Sequence, residues 1–273
     1  MVTIRAAAEN RPLVFVLLIL LFWLLVSAIL VFGSAAILGV PIIYDVPQMV
    51  GTLGATFILL VIAGRMGWLG SIGITRFGSW RVWLMAIPML GYLIFAYLFG
   101  FFGDVTFDFG IFSRSEAARE ILIRDGIVGF VEETLFRGII LYVLVRAWGK
   151  SKQGIFLSVI VQAALFGILH VLQIMAGIPL VISLMVIVNG FLSGIWWGAM
   201  TLRWRSLWPV ILLHAFSNIS VLVKGISSPF IEPSAAAYGR AILLEIPLVV
   251  LAIWLLFRTQ LGSEVVGESE LRV

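Results

Sequence analysis

The chain has 273 residues, 62% hydrophobic and 12% charged, with a formal net charge of +4, a mean hydropathy of +1.16 and a pI near 9.8. Soluble domains use roughly 45–50% apolar and about 25% charged residues, so lipid is the expected solvent. Lys and Arg stand singly between apolar stretches, without the basic stripe that nucleic acid requires. The lack of Cys excludes disulfides, thiolate catalysis and cysteine-based metal sites.

In chain order, the first apolar run, 12–32, follows Arg5 and Arg11 as a signal peptide would. It is much longer than an h-region of about 7–15 residues and reads as a retained span. Further runs at 48–63, 82–102, 127–145, 155–175, 179–200, 207–223 and 241–257 follow it. Crossing a core of about 30 Å at 1.5 Å per residue takes roughly 20 residues. The expectation is therefore an all-α fold: a polytopic membrane bundle of about eight transmembrane helices over 1–258, with a short tail, 259–273. The longest connection, 103–125, contains an amphipathic stretch, 115–123, suited to the membrane surface. Gly190, Gly194 and Gly198 line one face of the sixth span, a packing feature that permits close helix approach.

Basic residues set the expected orientation. With both termini cytoplasmic, Arg5, Arg11, Arg65, Arg76, Arg81, Arg146, Lys150, Lys152, Arg203, Arg205, Arg258 and Arg272 share that side. Only Arg114, Arg119, Arg124, Lys224 and Arg240 face outward. This fits the positive-inside rule for an even number of spans and places the protein in a membrane, expected to be a prokaryotic plasma membrane.

An ionisable side chain at the bilayer centre costs about 2.5–3.5 kcal/mol on insertion scales, so such residues are functional candidates. Glu132, Glu133 and Arg137 lie in the fourth span, and the 133 to 137 spacing puts carboxylate and guanidinium on one helix face. If Arg137 neutralises Glu133, Glu132 is left as the second carboxylate, about 100° round the helix and available as a general base. Only two His exist, His170 and His214, and both fall within spans. His214 and Asn218 are four apart, so imidazole and carboxamide share a face. Glu132 and His170 on consecutive spans suit gripping one water, with His214 and Asn218 turned to a scissile carbonyl oxygen. A purely structural polar network tying helices together is the competing reading.

Three motifs carry a resemblance: Glu132, Glu133 and Arg137 as Glu-Glu-x-x-x-Arg; Phe166 and His170 as Phe-x-x-x-His; His214 and Asn218 as His-x-x-x-Asn. In this order, on separate helices, they resemble the type II CAAX prenyl endopeptidases and their bacterial relatives, the CAAX protease and bacteriocin-processing (CPBP, Abi) intramembrane glutamate proteases. The resemblance implies that Glu132 and His170 position the nucleophilic water, that His214 and Asn218 stabilise the oxyanion, and that Glu133 and Arg137 are structural support. It implies a membrane-anchored or prenylated peptide or protein as substrate, with the lipid bilayer as the other partner, and no nucleic acid. Neither the substrate nor the oligomeric state follows from it.

No cofactor is expected. The lesser option is zinc held by Glu132, His170 and His214, since one carboxylate and two imidazoles form a known ligand set, although the His-Glu-x-x-His spacing is absent. A serine nucleophile in Gly-x-Ser-Gly is not met, because Gly190-Phe191-Leu192-Ser193-Gly194 has one residue too many. An aspartyl pair would need Asp45 and Asp104, both placed in loops. A proton-coupled transporter would use Glu132, Glu133, His170 and Glu245 as a relay but should show internal repeats, which are not visible; otherwise Glu245 reads as the partner of Arg240. A non-catalytic scaffold that keeps the site for stability is the remaining alternative.

Overall fold

A computed structural model describes residues 2–42, 45–96, 110–175, 177–227 and 234–258; among them there is no strand. The helices are α1 (Val2–Asn10), α2 (Pro12–Leu38), α3 (Asp45–Arg65), α4 (Trp80–Ala96), α5 (Ile111–Arg114) and α6 (Glu116–Glu133). A π-helical segment (Thr134–Ile140) follows, then α7 (Leu141–Trp148), α8 (Lys152–Leu169), α9 (Leu172–Met175), α10 (Leu180–Trp204), α11 (Trp208–Ser227) and α12 (Ala235–Arg258). Their ends follow local chemistry. Pro12 opens α2, where a missing N–H costs nothing, and Gly39 closes it in the left-handed conformation. Ser115 and Ser151 cap α6 and α8 by accepting from the backbone N–H groups of Ala118 and Gly154.

Five helices, at Pro12–Leu38, Val46–Arg65, Lys152–Leu169, Leu180–Trp204 and Ala235–Arg258, are long and apolar enough to cross a membrane, and Trp80–Phe95 is a shorter apolar helix. Two boundaries differ from the hydropathy reading. The run 155–175 is not one helix: α8 stops at Leu169 and the chain turns through His170 before α9. The amphipathic stretch 115–123 is no separate surface helix but the first turns of α6, which runs on without interruption through the π segment into α7. Asp45 heads α3. Asp104, the end of the run 82–102 and the tail 259–273 lie outside the described residues.

The π segment, α7 and α8 form a central hairpin flanked by two apolar cores. On one side Val16, Leu20, Leu59 and Ala63 of α2 and α3 pack with Phe136, Ile140, Leu144 and Phe166. On the other, Leu141, Val159 and Ala163 pack with Trp196, Leu213 and Ala252 of α10, α11 and α12. α2 and α3 run antiparallel and very close, since a Cβ at Gly51 would stand 2.7 Å from the Ser27 carbonyl oxygen and one at Gly54 2.6 Å from Leu30.

One end of the bundle is cross-linked across the sequence. Arg146 Nε pairs with Glu9 at 2.9 Å, Lys152 donates to the Phe257 carbonyl at 2.8 Å, and Leu207 N–H bonds Gly73, where φ is +82°. The Trp208 indole N–H donates to Ile74, and Trp68 meets Tyr142 edge-on at 5.3 Å. The basic stretches around 9–11, 65–76, 146–152, 203–207 and 257–258 therefore share one side of the bundle.

The glycine face of α10 packs on α8. A Cβ at Gly194 would lie 2.8 Å from the Cα of Ala163, backbone that cannot swing aside, whereas one at Gly239 of α12 meets nothing within 4 Å. Gly194→Ala is expected to lower unfolding stability by about 1–3 kcal/mol through overpacking. Gly239→Ala is expected to raise it by about 0.5–1 kcal/mol through helix propensity. Thermal unfolding of the purified variants in detergent checks both signs.

Candidate functional site

Three helices meet at the site. α6 delivers Glu132 and Glu133 at its end, and the following turn is wide, with i→i+5 bonding, so that all seven residues from Thr134 to Ile140 are buried. Gly138 lies close to α11: a Cβ there would stand 3.0 Å from Leu207 Cδ1, just before that helix. α8 carries Gln162 and Phe166, and His170 at its C-terminal cap, at four-residue steps along the sequence. α11 carries His214 and Asn218, and approaches α6 so closely that a Cβ at Gly129 would lie 3.0 Å from the Ala215 nitrogen.

The two adjacent carboxylates have different surroundings. Glu133 is fully enclosed; its Oε1 lies 3.0 Å from Arg137 Nη1 and accepts from His214 Nδ1 at 2.6 Å. Arg137 is equally enclosed, with its guanidinium carbon 4.0 Å from the Phe166 ring centre and 5.2 Å from that of Trp197. Its N–H groups reach no acceptor in hydrogen-bond geometry among the described residues. Charge and aromatic faces hold it, and a desolvated cation–π contact of this kind contributes about 2 kcal/mol. His214 is 4% exposed and lies against Trp197, with ring centres 4.4 Å apart. With Nδ1–H donated to Glu133, its Nε2 faces Glu132 Oε2 at 3.6 Å, within ion-pair reach but too long for a hydrogen bond.

Glu132 is the open member of the pair. Its side chain is 29% exposed and lines a cavity of ≈190 Å³ together with His170. The remaining wall is apolar, built by Phe136, Phe166 and Leu169, with Trp23 and Leu24 entering from α2. Residue His170 caps α8; its Nδ1 is 3.0 Å from the Phe166 carbonyl oxygen. A carbonyl only accepts, so Nδ1 carries the proton and Nε2 has the lone pair. Phe166 packs edge-on against His170 at 5.0 Å, tying its ring to the Arg137 shelf.

Residues 118–220 match the family model described as type II CAAX prenyl endopeptidase Rce1-like. This segment is similar to that family. No curated protein and no solved structure matches the chain. The Rce1-like segment runs from α6 to α11 and contains every motif residue from Glu132 to Asn218; α2 and α3 lie outside it.

Within the Rce1-like segment, Glu132, Phe166 and His170 share the cavity. His214 is gathered to the Glu133–Arg137 pair, and Asn218, half-buried, is one turn further along α11; neither lines the cavity. Among the described residues no group of three His, Asp or Glu side chains is arranged to hold a metal ion. Glu245 on α12 is buried and lies outside the cavity. Sequence reasoning missed Trp197, whose placement beside Gly198 was a usable hint of a helix contact, and Trp23 and Leu24, for which no sequence signal existed.

Proposed function

We propose that the protein is an intramembrane endopeptidase of the CAAX type, hydrolysing a peptide bond in a membrane-anchored or prenylated substrate with Glu132 as general base. The family match supports peptidase activity on a membrane-associated peptide. The observation that carries the mechanism is the division of labour between adjacent carboxylates: Glu133 is tied up by Arg137 and His214, while Glu132 opens with His170 onto an apolar cavity.

In this reading a water lies between Glu132 and His170 Nε2, which accepts one of its hydrogen bonds. Its oxygen attacks the scissile carbonyl carbon as its proton passes to Glu132, giving a tetrahedral oxyanion. The Asn218 carboxamide donates to that oxyanion. His214 fixes the carboxylate pair through Glu133, and its Nε2 joins as a donor when the ring carries a second proton. Collapse breaks the C–N bond and Glu132 returns its proton to the leaving amine. No covalent intermediate forms and no metal is required.

In the same reading α4, the continuous α6–π–α7 helix and α11 also cross the bilayer, for eight spans, with both termini cytoplasmic. The shared side of the basic stretches supports that orientation. The test is cleavage of lipidated and transmembrane peptides by purified protein, with and without a strong chelator. Cleavage that survives the chelator and falls about 10²–10³-fold in Asn218→Ala, the usual cost of one oxyanion donor, is the expected result. Reversible loss with chelator alone reinstates zinc, and absence of any cleavage favours a scaffold or a transporter.

A further inference from the structure

The apolar wall of the cavity raises a question of size that the reactive groups do not answer. An apolar cavity of about 150 Å³ takes a benzene-sized molecule, and pockets for drug-sized ligands run to about 300–1,000 Å³. At ≈190 Å³ the space beside Glu132 and His170 accommodates one leucine- or phenylalanine-sized group, and a long isoprenoid or acyl chain would extend beyond it. Its limit on the α2 side is Trp23 with Leu24. Trp23 is anchored in place: its indole N–H donates to Thr56 Oγ1 at 3.0 Å, and Thr56 on α3 is wholly buried. The close antiparallel approach of α2 and α3 at Gly51 and Gly54 keeps donor and acceptor together.

We infer that Trp23, latched by Thr56, is a specificity-determining residue that limits the apolar side chain accepted next to the scissile bond to about the size of Leu or Phe. The inference rests on the hydrolase reading for the word scissile, but the size limit is a binding property with its own readout. Any lipid chain on a substrate then lies outside this cavity, in the bilayer.

The probes are fluorinated N-acetyl amides of alanine, leucine, phenylalanine and naphthylalanine, with binding to protein in lipid nanodiscs read by fluorine NMR. Wild type should bind the leucine and phenylalanine amides at least tenfold more tightly than the naphthylalanine amide, within the range that a pocket discriminates on apolar size. Trp23→Ala should abolish or invert that preference, Trp23→Phe should retain most of it, and Thr56→Val should soften it several-fold by releasing the indole. Leu24→Trp, which adds bulk from the same wall, should shift the preference to alanine and covers the case in which Trp23→Ala does not fold. Failure of wild type to bind any amide, or an unchanged rank order in Trp23→Ala and Leu24→Trp, overturns the inference. Size-ranked binding without cleavage of any peptide overturns the hydrolase reading and leaves the size limit standing.

Discussion

Replacing Glu132 by Gln is expected to lower the rate of peptide hydrolysis by about 10²–10⁴-fold, the usual contribution of a positioned general base, with little change in unfolding temperature. The carboxamide has the shape of the carboxylate and occupies a side chain already 29% exposed, so packing survives. On the proposed mechanism, what is lost is the ability to take a proton from water and return it to the leaving amine. Single-turnover cleavage of a peptide that wild type cuts, alongside a thermal melt, separates the two effects. A Glu132→Gln protein that keeps more than half of the wild-type rate removes Glu132 from the role of base.

Arg137→Met is expected to destabilise the protein by about 3–5 kcal/mol, because removing one partner of a buried pair leaves the other charge without compensation. Arg137 and Glu133 are both 0% exposed, 3.0 Å apart. His214 on the other flank of Glu133 supplies only a hydrogen bond unless its ring gains a proton. Substituting both partners, Glu133→Gln with Arg137→Met, should recover much of the loss, since replacing a buried pair by neutral side chains of similar volume is often near neutral. Chemical unfolding of the two single variants and the double variant gives the coupling. Additive losses would mean that the pair does not act as a unit.

The centre of this site was legible in the sequence because charged residues in apolar runs have few explanations and helical spacing is strict. The 133 to 137 spacing does bring guanidinium and carboxylate together, and the chain's two His both reach the motif helices. The bond from His214 to Glu133 was not legible, since it depends on how α11 lies against α6 at Gly129, a tertiary approach that composition does not encode. Nor was the π segment: a periodicity of 3.6 assumes the α-helix, and TLFRGII differs from an α-helical string only in Gly138. The hydropathy run 155–175 overshoots the helix because hydropathy reports the solvent a residue prefers and not where its backbone turns, and Val171, Leu172, Ile174 and Met175 are apolar past the end of α8.

The length of α2 has a consequence for where the protein works. Its 27 residues extend about 40 Å, well beyond a hydrocarbon core of about 30 Å, while the 18 residues of α8 extend about 27 Å. A long helix in a thin bilayer relieves hydrophobic mismatch by tilting. Since α2 carries Trp23 and α8 ends at His170, a change in tilt of one relative to the other should alter the opening between them. Bilayer thickness is therefore expected to act on the cavity itself, so that lipids of different chain length should change the width of the opening between Trp23 and His170.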